Sequence, residues 1–314
     1  MPASPPRFAA IDIGTNTVLL LVAEASGGEL HPVCERATIT RLGQGVDASG
    51  RLHPDAEART LACLERYADE ARALGAFPVA AVGTSALRDA EGGAPFLDRA
   101  EALLGERPRV LSGEDEARLT FGGALSGLSL GGRVAVLDIG GGSTEWVEGA
   151  RSAGALEVES AHSVNVGAVR LTERFVRNDP PTLAEREAMR AATLEALGRL
   201  PGGALGGELV GVAGTVTTLA AVSRGVHPYD GARVHGVRMT LAEVESTLER
   251  LASLPLEERK GLPGLDPARA DVIVAGAELL ASVLGWCGAK GLYVSDRGVR
   301  WGLAAERAGL LGGG

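Results

Sequence analysis

Apolar runs and helical repeats of apolar residues alternate along this chain. Short apolar runs bounded by Gly, Pro or Asp predict strands at 9–13, 18–23, 30–40, 79–82, 110–111, 134–139, around 146, and at 157–163, 209–212 and 291–295. Apolar residues spaced three or four apart predict helices at 54–74, 96–104, 112–128, 183–200, 241–251, 270–284 and 298–308. This alternation predicts an α/β fold with mainly parallel pairing at the sheet centre.

Two segments share one local plan. A strand ends in Asp12, Gly14 turns the chain, and an apolar strand follows; a second strand ends in Asp138, three glycines follow, and another strand leaves. Such a repeat predicts two similar domains facing one cleft, each offering it a carboxylate and a phosphate loop. A third glycine-containing turn is predicted at 211–218, where it contributes Gly214 and Thr215.

The residue types in these turns suit phosphate and a divalent cation. Glycine at a strand end permits positive φ and close approach of a ligand to the backbone. Successive N–H groups in such a turn form an anion-binding concavity, and carboxylates hold hard cations. A second interpretation stays open on the residues alone, namely Gly-rich hairpin turns whose Asp side chains accept hydrogen bonds from the turn itself.

Seven segments carry a resemblance to a known family. They are AAIDIGTNT from Ala9, AVGTSALRDA from Ala81, SGEDEARLTF from Ser112, VLDIGGGSTE from Val136, NVGAVRLTERF from Asn165, GVAGTVTTLA from Gly211 and VSDRGVRWGL from Val294. On these residues, nearly the whole chain resembles the exopolyphosphatase / guanosine pentaphosphate phosphohydrolase (Ppx/GppA) family of the actin-like ATPase superfamily. The DIGT motif alone fits actin-like sugar kinases equally well.

The resemblance implies a fold and its domain limits. We expect two actin-like (ASKHA, ribonuclease H-like) α/β domains with an interdomain cleft. Domain I would comprise residues 1–118 with 296–314, the terminal helix returning to it, and domain II residues 119–295. Longer members carry a further C-terminal helical domain for which this sequence is too short, so the short form is expected, and a homodimer is left open.

The resemblance also implies roles for individual residues. Glu116, directly before Ala117 and Arg118, matches the glutamate that activates the attacking water; on position alone it is one of three acids in a first helical turn, where the helix dipole favours acids. A magnesium ion, with manganese as the alternative, would be held by Asp12, Asp138 and Glu145. Phosphate would be bound by Gly14, Thr15, Asn16, Arg88, Gly140, Gly141, Gly142, Ser143, Thr144, Gly214 and Thr215. Arg170 and Arg118 are weaker candidates.

The implied activity is metal-dependent hydrolysis of terminal phosphoanhydride bonds in inorganic polyphosphate, releasing orthophosphate. The family's other activity, removal of the 5′-terminal phosphate of guanosine pentaphosphate to give the tetraphosphate, stays open. An actin-like sugar kinase would need an adenosine site and a sugar-binding acid, for which no motif is evident. A non-catalytic sensor of polyphosphate or alarmone is disfavoured by an intact Glu116.

Composition narrows the partners and the compartment. The net charge of −9 argues against a nucleic-acid or anionic membrane partner. Three scattered cysteines predict reduced core thiols in a cytoplasmic protein. No stretch approaches the length of a membrane span. The Pro-rich residues 1–7 predict a loose tail, not a signal peptide, and the glycines at 312–314 predict a frayed end.

Overall fold

A computed structural model describes residues 5–152, 155–201 and 205–310. The start of the predicted tail and the glycines at 312–314 lie outside these residues. The chain divides into two compact units, unit 1 within residues 1–123 and 299–314, and unit 2 at 124–298. The sequence-based limits, after residue 118 and before residue 296, stay a prediction.

The elements of both units follow in chain order. The strands are β1 Arg7–Ile13, β2 Thr17–Ser26, β3 Glu29–Ile39, β4 Ala80–Gly83, β5 Arg109–Val110, β6 Gly132–Ile139, β7 Thr144–Ser152, β8 Ala155–Val164, β9 Glu208–Val212, β10 Arg238–Thr240 and β11 Gly291–Val294. The helices are α1 Val46–Ser49, α2 Pro54–Ala73, α3 Ser85–Asp89, α4 Ala94–Leu104, α5 Gly113–Ala124, α6 Ala168–Phe175, α7 Leu183–Leu197, α8 Ala213–Arg224, α9 Gly231–Val234, α10 Leu241–Ala252, α11 Leu256–Arg259, α12 Ile273–Cys287 and α13 Val299–Arg307. A 3₁₀ turn spans Pro267–Arg269.

Unit 1 has a mixed five-stranded sheet in the order β3-β2-β1-β4-β5. β1, β2 and β3 pair antiparallel, and β4 and β5 continue parallel to β1. Because side chains alternate across a strand, Ile11 and Leu20 join one core with α2 and α4. Ala10 and Leu21 join a second core, which includes Trp301 of α13.

Unit 2 repeats this topology and extends it. Its sheet has the order β10-β11-β9-β6-β7-β8, in which β6, β7 and β8 are antiparallel and β9 and β11 run parallel to β6. Helix α12 is buried on almost every side and packs against α6, α7, α8 and α10. A helix that is apolar around its whole circumference belongs in the centre of a core.

The first hairpin of unit 1 (β1–β2) and the first hairpin of unit 2 (β6–β7) have the same pairing register. Asp12 pairs with Leu19 across β1 and β2, and Asp138 pairs with Glu145 across β6 and β7. Gly14 N donates to Thr17 O at 3.1 Å, and the corresponding bond from Gly140 to Ser143 is 3.0 Å. The internal repeat predicted from the sequence is therefore the same turn built twice.

Several helices differ from the sequence-based expectations, since α1, α8, α9 and α11 are absent from the prediction. Neither α3 nor α6 was expected, and α5 ends at Ala124 instead of continuing to Leu128. The third glycine turn is wrong as predicted, because Gly214 lies in the first turn of α8, which begins at Ala213 with φ of 67°. Among the described helices, none combines the length and apolar character needed to cross a bilayer.

Candidate active site

The second hairpin turn, Gly140–Ser143, is fastened to the start of α6. Gly140 O accepts a hydrogen bond from Ala168 N at 3.0 Å. Gly141 O accepts from Val169 N at 2.9 Å and from Arg170 N at 3.1 Å. The first N–H groups of a helix have no partner within it, so the turn satisfies them and is held in place in return.

The side chain of Arg170 completes this fastening. Its Nε donates to Gly142 O at 2.9 Å, so three successive carbonyls of the turn point towards α6. In a trans peptide the N–H points opposite to the C=O. The N–H groups of Gly141, Gly142 and Ser143 are therefore directed to the other side of the turn. Successive N–H groups aimed to one side form an anion-binding concavity.

The close contact between the turn and α6 depends on Gly167. A Cβ added at Gly167 would lie 2.5 Å from Gly141 O and 2.7 Å from Gly142 N. Its φ of −156° is extended, so only the space requires glycine. The same holds at Gly140, where positive φ is not used and a Cβ would be 3.1 Å from Ser143 O.

The first hairpin turn, Gly14–Thr17, has the same arrangement with different partners. Thr15 O accepts from Gly43 N at 2.9 Å, and Asn16 O accepts from Thr40 N and Arg41 N at 3.1 and 3.0 Å. The N–H of the residue after each carbonyl is again directed to the opposite side. At Gly14 a Cβ would lie 2.9 Å from Thr17 O, so close approach explains this glycine too.

Two side chains of the first turn, those of Thr15 and Asn16, are buried. Thr15 Oγ1 lies 2.7 Å from Ser85 Oγ at the start of α3. The side-chain oxygen of Asn16 is buried, and no group in the described parts of the chain donates a hydrogen bond to it. A buried oxygen of this kind suits a hard cation or a water molecule.

Arg88 and Glu116 form an ion pair in unit 1. Arg88 Nη1 donates to Glu116 Oε2 at 3.0 Å and to Leu111 O at 3.2 Å. The Glu116 side chain is 8% exposed and that of Arg88 23%. The structure thus brings together two residues that the sequence singled out separately, with the predicted phosphate ligand bound to the predicted base.

Glu116 differs in its burial from the acids beside it. Glu114 and Asp115 are exposed in the same first turn of α5, and Arg118 is exposed in the next turn. Ser112 Oγ accepts from Asp115 N at 3.1 Å and donates to the Asp115 carboxylate. These hydrogen bonds give Asp115 a structural role in capping the helix. Capping does not account for Glu116, whose carboxylate is buried and ion-paired to Arg88.

Asp138 and Glu145 place two buried carboxylates on one face of the sheet. They are directly opposite in the β6–β7 ladder, and Glu145 accepts from Ser163 Oγ at 2.8 Å. Two hard oxygen donors side by side fit part of the shell of a divalent cation. No cluster of three or more His, Cys, Asp or Glu with metal-binding geometry occurs in the described residues. The predicted third ligand, Asp12, belongs to unit 1.

The side-chain hydroxyl of Thr144, a predicted phosphate ligand, makes a hydrogen bond within the fold. Its hydroxyl donates to Val166 O at 2.6 Å, and its side chain is buried. A hydroxyl has one hydrogen to donate, so Thr144 cannot also donate to a phosphate oxygen without losing this bond. The hydroxyl links β7 to the segment that leads into α6. Ser143, the preceding residue, is also buried.

Gly214 and Thr215 lie at the start of α8 under a side chain that the sequence did not single out. A Cβ at Gly214 would be 1.8 Å from Arg269 Nη1, so the guanidinium lies directly on this glycine. Burial lowers the pKa of Arg269 below its ordinary value. Thr215 Oγ1 would be 2.7 Å from a Cβ at Gly276 of α12, which places Thr215 in a packed environment.

Three residues of the site were missed by sequence reasoning. Ser85 contacts Thr15, Gly167 admits the second turn, and Arg269 covers Gly214. Because each contact joins residues more than 20 positions apart, no local sequence pattern predicts it. Gly167 stands in one of the family-like segments and Ser85 in another, which is the one signal that pointed to them.

Comparison with known proteins identifies the family. The model of the Ppx/GppA phosphatase family matches residues 21–309. The chain belongs to the Ppx/GppA phosphatase family. It is 40% identical to exopolyphosphatase 2 of Mycobacterium tuberculosis, over 96% of this chain and 99% of that protein. The predicted class of enzyme, a hydrolase, is confirmed by this membership.

Solved structures of Ppx/GppA relatives have the same fold. The Aquifex aeolicus family member is 34% identical with a TM-score of 0.81, covering 96% of this chain and 97% of that chain. An exopolyphosphatase from Cytophaga hutchinsonii is 25% identical with a TM-score of 0.85, covering 97% and 98%. The predicted fold class, α/β with two actin-like domains, is confirmed; the cleft between them stays a prediction.

Proposed function

We propose that this protein is a metal-dependent exopolyphosphatase that hydrolyses the terminal phosphoanhydride bond of inorganic polyphosphate and releases orthophosphate. The observation that carries the proposal is the second hairpin turn, whose three carbonyls are held by α6 so that its N–H groups face away from it together. Backbone N–H groups arranged in this way bind phosphate oxygens. The similarity to exopolyphosphatase 2 supports polyphosphate as the substrate.

Phosphoryl transfer needs positioning and charge stabilisation more than covalent chemistry. Backbone N–H groups of a hairpin turn bind phosphate oxygens and hold the polyphosphate. Glu116 accepts a proton from a water molecule as the water oxygen bonds to the terminal phosphorus. The bridging P–O bond breaks, its oxygen leaves with the shortened polyphosphate, and orthophosphate is released.

Glu116 suits the role of general base for a physical reason. It is the buried acid in the first turn of α5 and lies 3.0 Å from a guanidinium, which favours its ionised form. A positioned base of this kind contributes about 10²–10⁴-fold to a rate.

Asp138 and Glu145 are the residues that would hold a magnesium or manganese ion, and the sequence assigns Asp12 to the same ion. Such an ion neutralises phosphate charge when it is bound. The proposed setting is cytoplasmic, in line with three buried cysteines that form no disulfide.

The test is orthophosphate release with magnesium from long-chain polyphosphate and from guanosine pentaphosphate, offered in parallel. Wild type, Glu116→Gln and Glu114→Gln are compared, because Glu114 is an exposed acid two residues away on the same helix. We expect release from polyphosphate that falls at least 100-fold in Glu116→Gln and stays near wild type in Glu114→Gln.

The other outcomes separate the alternatives. Faster orthophosphate release from guanosine pentaphosphate than from polyphosphate would make guanosine pentaphosphate the preferred substrate and leave the proposed mechanism unchanged. Binding of polyphosphate without release by wild type would indicate a sensor. Full activity in Glu116→Gln would keep the enzyme and remove Glu116 as its base.

A further inference from the structure

Helix α3 links the first hairpin turn to Glu116. Ser85 at its start contacts Thr15 of the turn at 2.7 Å. Arg88, three residues later and so on the same side of the helix, contacts Glu116 at 3.0 Å. The position of the carboxylate is thereby tied to the turn through one short helix.

Burial alone would favour the wrong form of Glu116. The residue is 6% exposed, and removing a carboxylate from water favours its protonated form. A phosphate chain nearby adds repulsion between like charges. A general base has to be ionised before it can accept a proton, so the fold needs a compensating positive charge at this position.

Arg88 supplies that charge from a fixed position. The Nη1 that donates to Glu116 also donates to Leu111 O at 3.2 Å, and Nε lies 3.9 Å from Asp89 Oδ1. Leu111 in turn donates its N–H to Gly83 O at 2.9 Å. A phosphate that took Nη1 would compete with the carboxylate for the same donor.

The charged surroundings of Glu116 are asymmetric. Arg88 contacts it from α3, with Asp89 Oδ1 3.9 Å from the Arg88 Nε, whereas Glu114, Asp115 and Arg118 on its own helix are exposed to solvent. Exposed charges are screened by water and salt. The partly buried guanidinium is therefore screened less than these exposed charges.

We propose that Arg88 is a positioning residue that keeps Glu116 ionised and oriented, instead of the phosphate ligand expected from the sequence. This inference rests on the proposed role of Glu116 as the base. It predicts that Arg88 acts on the ionisation of Glu116 and on kcat, with little effect on KM for polyphosphate.

The experiment compares Arg88→Gln, Arg88→Lys and wild type in three measurements. These are the pH dependence of kcat/KM, KM for polyphosphate, and the titration midpoint of the Glu116 carboxyl by carbon-detected NMR, assigned by the loss of its signal in Glu116→Gln. In Arg88→Gln we expect the midpoint and the acid limb of kcat/KM to move up by about one pH unit. KM should stay within about threefold, and Arg88→Lys should restore most of the shift.

Arg300→Gln is the matched control for loss of a buried arginine. Arg300 Nη2 lies 2.7 Å from Glu35 Oε2 in the same unit and has no part in the proposed chemistry. Thermal unfolding is recorded for all variants. We expect Arg300→Gln to lower the melting temperature without moving the acid limb.

Three results would overturn the proposal. A KM raised tenfold or more with an unmoved midpoint would make Arg88 a phosphate ligand. A lower melting temperature alone, as in Arg300→Gln, would make the pair structural. Full activity of Glu116→Gln would remove the base and the reason for positioning it. If wild type releases no phosphate while Arg88→Gln still moves the midpoint, the hydrolase assignment fails and the charge coupling stands.

Discussion

Asp138 lies directly opposite Glu145 in the antiparallel ladder of β6 and β7, and both carboxylates are buried. Residues opposite each other in such a ladder have Cβ atoms about 5 Å apart on one face. Two buried carboxylates this close repel when both are ionised, so a cation between them lowers the free energy of the folded state. In the matching hairpin of unit 1, Leu19 is opposite Asp12, so the acidic pair belongs to unit 2.

We expect magnesium to stabilise the wild type and not Glu145→Gln. At a free concentration of about ten times Kd, binding adds about 1.4 kcal/mol, which raises the melting temperature by about 3–6 °C in a domain of this size. Differential scanning fluorimetry with and without magnesium measures the shift. Glu148→Gln, on the same strand but the other face, should keep it. An equal shift in Glu145→Gln would remove this pair from the metal site.

Gly167→Ala should weaken catalysis while the protein stays folded. The added Cβ would meet the Gly141–Gly142 backbone at 2.5–2.7 Å, so the second turn has to move and its N–H groups move with it. Displacements of this order at a binding site cost about 10–100-fold in kcat/KM. Steady-state kinetics with polyphosphate measures the loss.

Gly285→Ala is the matched control for that substitution. Gly285 lies in α12, and a Cβ there meets nothing within 4 Å. Replacing glycine by alanine in a helix interior stabilises by about 0.5–1 kcal/mol, with wild-type kinetics expected. Wild-type kinetics in Gly167→Ala as well would mean that the turn does not bind the substrate.

The hairpins were predictable because their signals are local. Asp, Gly and the closing bond from Gly140 N to Ser143 O lie within a few residues of each other. The start of α8 was not predictable from the sequence. Gly214 in an apolar run indicates a turn, but Ala213 adopts a strained φ of 67° at which the helix begins. That conformation depends on tertiary packing, which no short window contains.

The same distinction applies to the site, where single residues were predictable from the sequence and their contacts were not. Glu116 and Arg88 could each be proposed from a motif, but their ion pair spans 28 positions and needs the fold. The hydrogen bond from the Thr144 hydroxyl to Val166 O likewise joins residues 22 positions apart. From residue type alone, the Thr144 hydroxyl was expected to be available to phosphate. The structure shows that it donates its hydrogen bond to Val166 O of a neighbouring segment.

Thr144→Val should lower stability more than it lowers substrate affinity. Removing the hydroxyl leaves the buried Val166 O without this donor, which costs about 1–3 kcal/mol. Thr144→Ser retains the donor and should lose less. Urea unfolding and KM for polyphosphate are measured for both. A tenfold higher KM in Thr144→Val at unchanged stability would restore the phosphate role predicted from the sequence.

Glu185 should make part of the stability of unit 2 dependent on acid pH. Burial alone would raise the pKa of this carboxyl, but N–H donors from Thr182 and Arg177 and the side chain of Asn178 outweigh it and lower the pKa from 4.5 to about 2. A carboxyl whose folded pKa is depressed contributes its stability above the unfolded value and loses it as pH falls towards the folded value. The window is therefore about pH 4.5 down to 2.

Glu185→Gln tests this window. The residue caps α7 with Thr182 in a reciprocal pair of hydrogen bonds, and after discounting for solvent screening its ionised form contributes about 1–2 kcal/mol. Urea unfolding should show the variant less stable than wild type by this amount at pH 6, with the gap narrowing by pH 3.5. Glu187→Gln, at an exposed position on the same helix, should show no such narrowing. A gap of equal size at both pH values would mean that the ionised carboxylate is not the source of the stability.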